Sequence, residues 1–109
     1  MSRAKGDFAE QRGVDYLQSS GYTVLQRNFY SRFGEIDIIA IKDETLHFVE
    51  VKSGDEYELA IQNITPKKLS KIVKTAHVYM KKKALDLSFS IDALIVTPQN
   101  IEFLQNITI

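Results

Sequence analysis

The segment Gly34-Glu35-Ile36-Asp37-Ile38-Ile39-Ala40-Ile41-Lys42-Asp43-Glu44-Thr45-Leu46-His47-Phe48-Val49-Glu50-Val51-Lys52 carries the strongest structural signal in the chain. Two runs dense in branched and aromatic residues flank the polar Lys42-Asp43-Glu44-Thr45, the pattern of a β-hairpin. A short even-length loop centred on Asp43-Glu44 sets the register. Asp37 then lies opposite Glu50 and Glu35 opposite Lys52, with Ile39 facing Phe48 and Ile41 facing Leu46 on the same side. The other side pairs Ile36 with Val51, Ile38 with Val49 and Ala40 with His47, and is almost wholly apolar. Such a hairpin belongs in a sheet covered on both faces, with one polar cluster at the end remote from its loop.

Upstream, Tyr22 to Tyr30 is rich in aromatic and branched residues and closes in Ser31-Arg32-Phe33-Gly34, which predicts another strand and a turn. Before it, Phe8, Ala9, Gly13, Tyr16 and Leu17 fall at helical spacing between Ala4 and Ser20, with Gly21 as the stop. Downstream, Ser53-Gly54-Asp55-Glu56-Tyr57-Glu58 reads as a polar, mobile loop. Thr65-Pro66 opens a second helix, Thr as N-cap and Pro at the first helical position. Its apolar residues Leu69, Ile72, Val73, Ala76, Tyr79 and Met80 share roughly 120° of arc at about 100° per residue. Phe89 to Val96 and Ile101 to Leu104 complete the order α-β-β-β-α-β-β, a single α/β domain over residues 1–109.

Composition narrows the class. The 109 residues carry 14 Lys+Arg and 14 Asp+Glu, are 44% hydrophobic and include no cysteine. That length builds an ordinary core, and the missing cysteine excludes thiolate zinc sites, redox motifs and a cysteine nucleophile. No apolar run is long enough to span a bilayer and the N-terminal residues lack the apolar core of a signal peptide, so the expectation is a soluble cytoplasmic protein without membrane association. No glycine-rich phosphate loop points to nucleotide triphosphates. Charge is nevertheless segregated: seven lysines and no acid lie between Leu59 and Leu85. An acidic site and a basic surface therefore coexist on a neutral chain.

Two carboxylates opposed on a strand pair repel, and burial raises that cost unless something neutralises them. A hard divalent cation does so with one or two carboxylates, waters and substrate phosphate oxygens. Lys52 projects beside the pair and would orient a water or bear developing charge in phosphodiester hydrolysis. The same spacing also describes a charged hairpin rim, with Glu35–Lys52 an ion pair and Asp37 and Glu50 sharing a proton. Glu10 shares a helical stripe with Gly13, Val14 and Leu17, so it points toward the buried side, and its alternative reading is a surface pair with Arg3 or Arg12. His47 and His77 are expected to be packing or surface residues.

Gly6-Asp7-Phe8-Ala9-Glu10, Gly21 to Asn28, Gly34 to Ala40, Phe48 to Lys52 and Ile91-Asp92 together resemble the YraN-like bacterial family, itself similar to archaeal Holliday junction resolvases of the PD-(D/E)xK nuclease superfamily. The resemblance implies a restriction-endonuclease-like αβββαβ core, a mixed sheet flanked by helices with an extra C-terminal strand, and a Mg²⁺ or Mn²⁺ site. Asp37, Glu50 and Val51 match the metal-binding positions, Lys52 the catalytic lysine and Glu10 the glutamate of the first helix. Ile36-Asp37 replaces the Pro-Asp pair of many relatives, and Ser53-Gly54 stands where a basic residue often follows the lysine. The implied substrate is DNA, with branched repair or recombination intermediates cut by a homodimer.

On the second helix Lys67, Lys71, Lys74 and Lys81 lie opposite the apolar stripe, with Lys82 beside them and Lys68 and Lys83 toward its flanks, and Lys67 and Lys68 occupy the first turn, where the helix dipole disfavours cations. With Arg27 and Arg32 they are expected to follow a phosphate backbone. A solvated helix face is the alternative reading of the same pattern. A non-catalytic nucleic-acid binding module and a protein-interaction subunit are the rival functions.

Overall fold

The computed structural model describes residues 3–108, with side chains from Asp7 onward; Met1, Ser2 and Ile109 of the expected domain and the side chain of Arg3 lie outside it. The elements are α1 (Arg3–Ser19), β1 (Thr23–Ser31), β2 (Gly34–Lys42), β3 (Thr45–Ser53), α2 (Tyr57–Ile61), α3 (Pro66–Lys82), β4 (Ser88–Val96) and β5 (Ile101–Leu104). The strands form one five-stranded sheet in the order β1-β2-β3-β4-β5. All neighbours are antiparallel except β3 and β4, which are parallel. A parallel pair cannot close through a hairpin, so α2 and α3 make the crossover. This is the αβββαβ core with an added C-terminal strand.

The expected hairpin register holds from its loop as far as Ile38 and Val49. Asp43 and Glu44 both take positive φ, 51° and 63°, the two-residue turn whose twist suits paired strands. Beyond Ile38 the ladder ends, so Asp37 and Glu50 are not backbone partners and Glu35 pairs with Tyr30 on β1 rather than with Lys52. The strand pair opens where the sequence placed its polar cluster.

Two apolar layers sandwich the sheet. On one side Val14 and Leu17 of α1 pack with Tyr22, Ile38, Ala40, Val49 and Leu94. On the other, Ile72, Ala76 and Tyr79 of α3 pack with Phe29, Ile36, Ile39, Leu46, Phe48 and Ile91. Each fully buried Leu or Ile among them contributes about 1.5–3 kcal/mol relative to exposure. Gly13 lets α1 approach closely: a Cβ there would stand 3.1 Å from a methyl of Leu94 and 3.5 Å from one of Ile38. As expected, Thr65 caps α3, its Oγ1 accepting from the Lys68 amide, with Pro66 in the first turn.

Three expectations need correction. Ile36 and Ile38 were placed on one face, yet Ile36 belongs to the α3 layer and Ile38 to the α1 layer. The cause lies on the neighbouring strand, where Asn28 takes φ 54° and reverses the alternation between Arg27 and Phe29. Phe8, expected in the inward stripe of the first helix, is 68% exposed while Ala9 is buried. The inward stripe is Ala9, Glu10, Gly13, Val14 and Leu17, and one residue of helical rotation carries Phe8 off it. The polar stretch after β3 is also shorter than expected, because Tyr57–Ile61 forms α2, seated by buried Ala60 against Ala93 and Ile95.

Candidate active site

The turn-over at Asn28 and Asp37 builds the site. Val51 has left the ladder with β2, and its N–H donates instead to Asp37 Oδ2 at 2.8 Å. This ties the parting strands together through a side chain. The Glu50 carboxyl beside Asp37 acts on it through hydrogen bonding and charge, both of which disfavour its ionisation. Lys52 Nζ stands 3.8 Å from Glu50 Oε1, so Glu50 lies between an acid and a base. The lysine thus pairs with Glu50 rather than with Glu35.

Electrostatics at this notch are unusual. Burial, then the Glu50 hydrogen bond and charge, push the Asp37 carboxyl up to about 8 from 3.8, opposed by the Val51 N–H, with Glu10 adding to the rise. Two acids this close disfavour ionising together, which is the direction of the Asp37 shift.

Glu10 is buried on the inner side of α1, as its stripe predicts. Its Oε1 accepts from Arg27 Nε at 2.9 Å and from Asn28 Nδ2 at 3.0 Å. Its partner is therefore Arg27, not Arg12, whose guanidinium donates to the Thr97 carbonyl at 2.6 Å. Arg27 also donates to Gln11, so it is committed to α1 and does not join the lysines.

Among the described residues no three Asp, Glu or His side chains gather as a ready metal cluster. The notch offers two carboxyls, Asp37 and Glu50, because Glu10 is occupied by Arg27 and Asn28. That donor set fits Mg²⁺ or Mn²⁺, hard cations that accept one or two carboxylates and complete their shell with water and phosphate oxygens. A cation there would relieve the carboxylate repulsion that helps to raise Asp37. Val51, placed with the metal positions, gives its N–H to Asp37, while the group that could face a cation is its carbonyl oxygen.

The basic side of the molecule lies on the α3 layer. Arg32 and Lys74 both stand over the Phe33 ring, 4.8 and 5.7 Å from its centroid. Lys71 flanks Gly34, whose missing Cβ would sit 3.8 Å from the lysine's own Cβ. Lys67 and Lys68 are exposed on the first turn of α3, with Lys67, Lys71 and Lys74 on one helical face. Arg32 and these lysines form one patch joining α3 to the β1–β2 turn.

A second polar cluster was not foreseen. Asp92, fully buried in β4, accepts from His47 Nδ1 through Oδ2 at 2.6 Å, from the Ser90 hydroxyl, and from the Asn106 amide at 2.9 Å. Tyr22 packs edge-on against His47, and its hydroxyl accepts from Gln105 Nε2 at 2.7 Å. An acid inside the apolar run Ile91-Asp92-Ala93-Leu94-Ile95-Val96 was the available signal, since a charge there demands partners. His77 is a surface residue, edge-on to Phe89. No helix among the described residues is long and apolar enough to cross a membrane.

Comparison with known proteins agrees with this picture at the level of family. The chain is 61% identical over 109 residues to a UPF0102 protein of Sulfurimonas denitrificans, covering 100% of both chains. It is 55% identical over 109 residues to one of Wolinella succinogenes, again covering 100% of both. With a UPF0102 protein of Helicobacter pylori strain HPAG1 it shares 49% over 106 residues, 97% of this chain and 92% of the relative. Residues 9–96 match the profile of the Uncharacterised protein family UPF0102, a span from α1 to the end of β4 that holds both the carboxyl notch and the basic patch, and the chain belongs to that family.

Proposed function

We propose that this protein is a metal-dependent endonuclease that hydrolyses phosphodiesters in DNA. The observation that carries this reading is the meeting of Asp37, Glu50 and Lys52 where β2 and β3 part. A bare structural ion pair needs one acid and one base, and the second buried acid is unfavourable without a cation to bind. The resemblance to the PD-(D/E)xK nucleases and archaeal junction resolvases supports the same assignment.

Asp37 and Glu50 would hold Mg²⁺ or Mn²⁺. The bound cation supplies Lewis acidity toward a phosphate oxygen and makes a water more acidic. Lys52, 3.8 Å from Glu50, would orient the attacking water or carry charge developing on the phosphorus oxygens. Val51 fixes the Asp37 carboxylate through its N–H, and Arg27 with Asn28 fixes Glu10 behind it, so Glu10 acts as a positioning residue.

Arg32, Lys67, Lys68, Lys71 and Lys74 bind the phosphate backbone without reading bases. Branched repair or recombination intermediates in the cytoplasm suit this surface, and cutting both strands of a junction calls for a two-fold homodimer. Replacing Lys67, Lys71 and Lys74 together by alanine is expected to weaken binding and to flatten the slope of log K against log salt by about 2–3 for duplex DNA, near 0.9 per lost phosphate contact. Anisotropy titrations over a series of salt concentrations give the slope, and an unchanged slope would remove these lysines from the DNA surface. Binding that survives Asp37→Asn and Lys52→Ala with no cleavage by the wild type would replace the enzyme with a binding module.

A further inference from the structure

A cleft opens at the carboxyl ends of the parallel strands β3 and β4, a preferred place for ligands in α/β sheets. It encloses about 430 Å³ between Phe8, Ala9 and Arg12 of α1, Gly54 and Asp55 after β3, and Pro98 after β4. Its base is pinned. The Gly54 amide donates to the Val96 carbonyl at 3.2 Å, and Arg12 holds the Thr97 carbonyl at 2.6 Å, so the cleft is preformed.

Phe8 lines it while remaining 68% exposed, in a helix that buries Ala9 directly beside it. The walls are mostly small or apolar, with the Asp55 carboxylate and the Arg12 guanidinium as charged groups and Ser53 and Thr97 as hydroxyl-bearing ones. A carboxylate there repels a phosphate but accepts from a ring or exocyclic N–H. The remaining guanidinium N–H groups of Arg12 suit carbonyl and ring-nitrogen acceptors. The cleft and the carboxyl notch share two elements, since Gly54 and Asp55 lie just past Lys52 at the end of β3 and Phe8 and Ala9 just before Glu10 on α1.

We propose that this cleft receives a single unstacked nucleobase, laid on Phe8, from the DNA strand whose phosphate lies at Asp37, Glu50 and Lys52. The proposal rests on the nuclease reading for what occupies the carboxyl notch. A base that has left its stack must come from an unpaired or distorted stretch, so the cleft selects such DNA over regular duplex. Stacking on an aromatic ring tolerates any base, so the Phe8 contact by itself sets no sequence preference.

The test compares the full-length wild type with Phe8→Ala and Phe8→Trp in binding two labelled single strands of equal length, one intact and one with its bases removed. Titrations are run in chelator at low salt. The wild type and Phe8→Trp are expected to bind the intact strand about tenfold or more tightly over the abasic one, and Phe8→Ala to lose most of that ratio. Its thermal unfolding should match the wild type because Phe8 is exposed. Equal binding of both strands by the wild type, no binding of either, or a ratio unchanged in Phe8→Ala would overturn the proposal. Cleavage of the intact strand with Mg²⁺ or Mn²⁺ is scored separately. The base-dependent ratio without cleavage would uphold the cleft and sink the nuclease, and cleavage without the ratio would do the reverse.

Discussion

Asp92→Ala is expected to destabilise the protein by about 3–5 kcal/mol, the cost of removing one member of a buried hydrogen-bonded charge site. The carboxylate has no exposure and serves three donors, His47, Ser90 and Asn106. Its loss leaves the Asn106 amide and the buried His47 ring without their acceptor, and a buried ring nitrogen without a partner carries a full desolvation penalty. It also unfastens the chain after β5, which is otherwise tied down by the Ile107 amide on the Ile91 carbonyl and by Gln105 on Tyr22. A loss of that size lowers the midpoint of thermal unfolding by roughly 15–30 °C in a domain of this length. Asp92→Asn keeps an acceptor for Asn106 and should fall by less. Urea unfolding of the two variants beside the wild type measures both effects, and an Asp92→Ala protein within about 1 kcal/mol of the wild type would show that the cluster is not a tether.

Asp37 gives the second large effect, and it depends on pH. Burial and Glu50 raise its carboxyl in the folded chain to about 8 from 3.8. Between those two values the unfolded chain has lost the proton while the folded chain keeps it. Folding in that window takes up a proton, so stability contributed by this site falls as pH rises from about 4 to about 8 and levels off above it. The full difference is on the order of 5 kcal/mol. Asp37→Asn cannot ionise, keeps an acceptor for the Val51 amide and can donate to Glu50. In chelator the variant's advantage over the wild type should therefore be only about 2 kcal/mol near pH 5 and grow to about 5 kcal/mol near pH 8. Mg²⁺ or Mn²⁺ should close part of that gap at pH 8 by binding the ionised pair. Denaturant titrations at both pH values decide it. A wild type that gains stability relative to Asp37→Asn as pH rises would contradict the paired-acid account.

The hairpin was legible because two independent patterns agreed. Asp43 and Glu44 fixed the loop, and the two-residue alternation of Ile39, Ile41, Leu46 and Phe48 fixed the register around it. Thr65-Pro66 was equally plain, since cap and first-turn chemistry are local. The opening of the strands was not legible, because it follows from a left-handed Asn28 on another strand that no periodicity reveals. For the same reason Ile36 was assigned to the wrong layer. The pairing of Glu10 with Arg27 joins residues from a helix and a strand, and the His47–Asp92 bond joins residues 45 positions apart. Sequence spacing could say that each buried charge needed a partner, but the partner came only with the topology. The short α2 was hidden because Tyr57–Ile61 spans little more than one turn and buries only Ala60.

The central claim is that the meeting of Asp37, Glu50 and Lys52 hydrolyses DNA. The direct measurement incubates the purified protein with Mg²⁺ or Mn²⁺ at low salt and labelled single-stranded, duplex, flap and four-way junction DNA, with Asp37→Asn and Lys52→Ala in parallel. The account predicts cleavage by the wild type, strongest on DNA with an unpaired or branched stretch, and rates at least about 10²–10³-fold lower in both variants. No cleavage of any substrate by the wild type, or cleavage by Asp37→Asn at the wild-type rate, would contradict it.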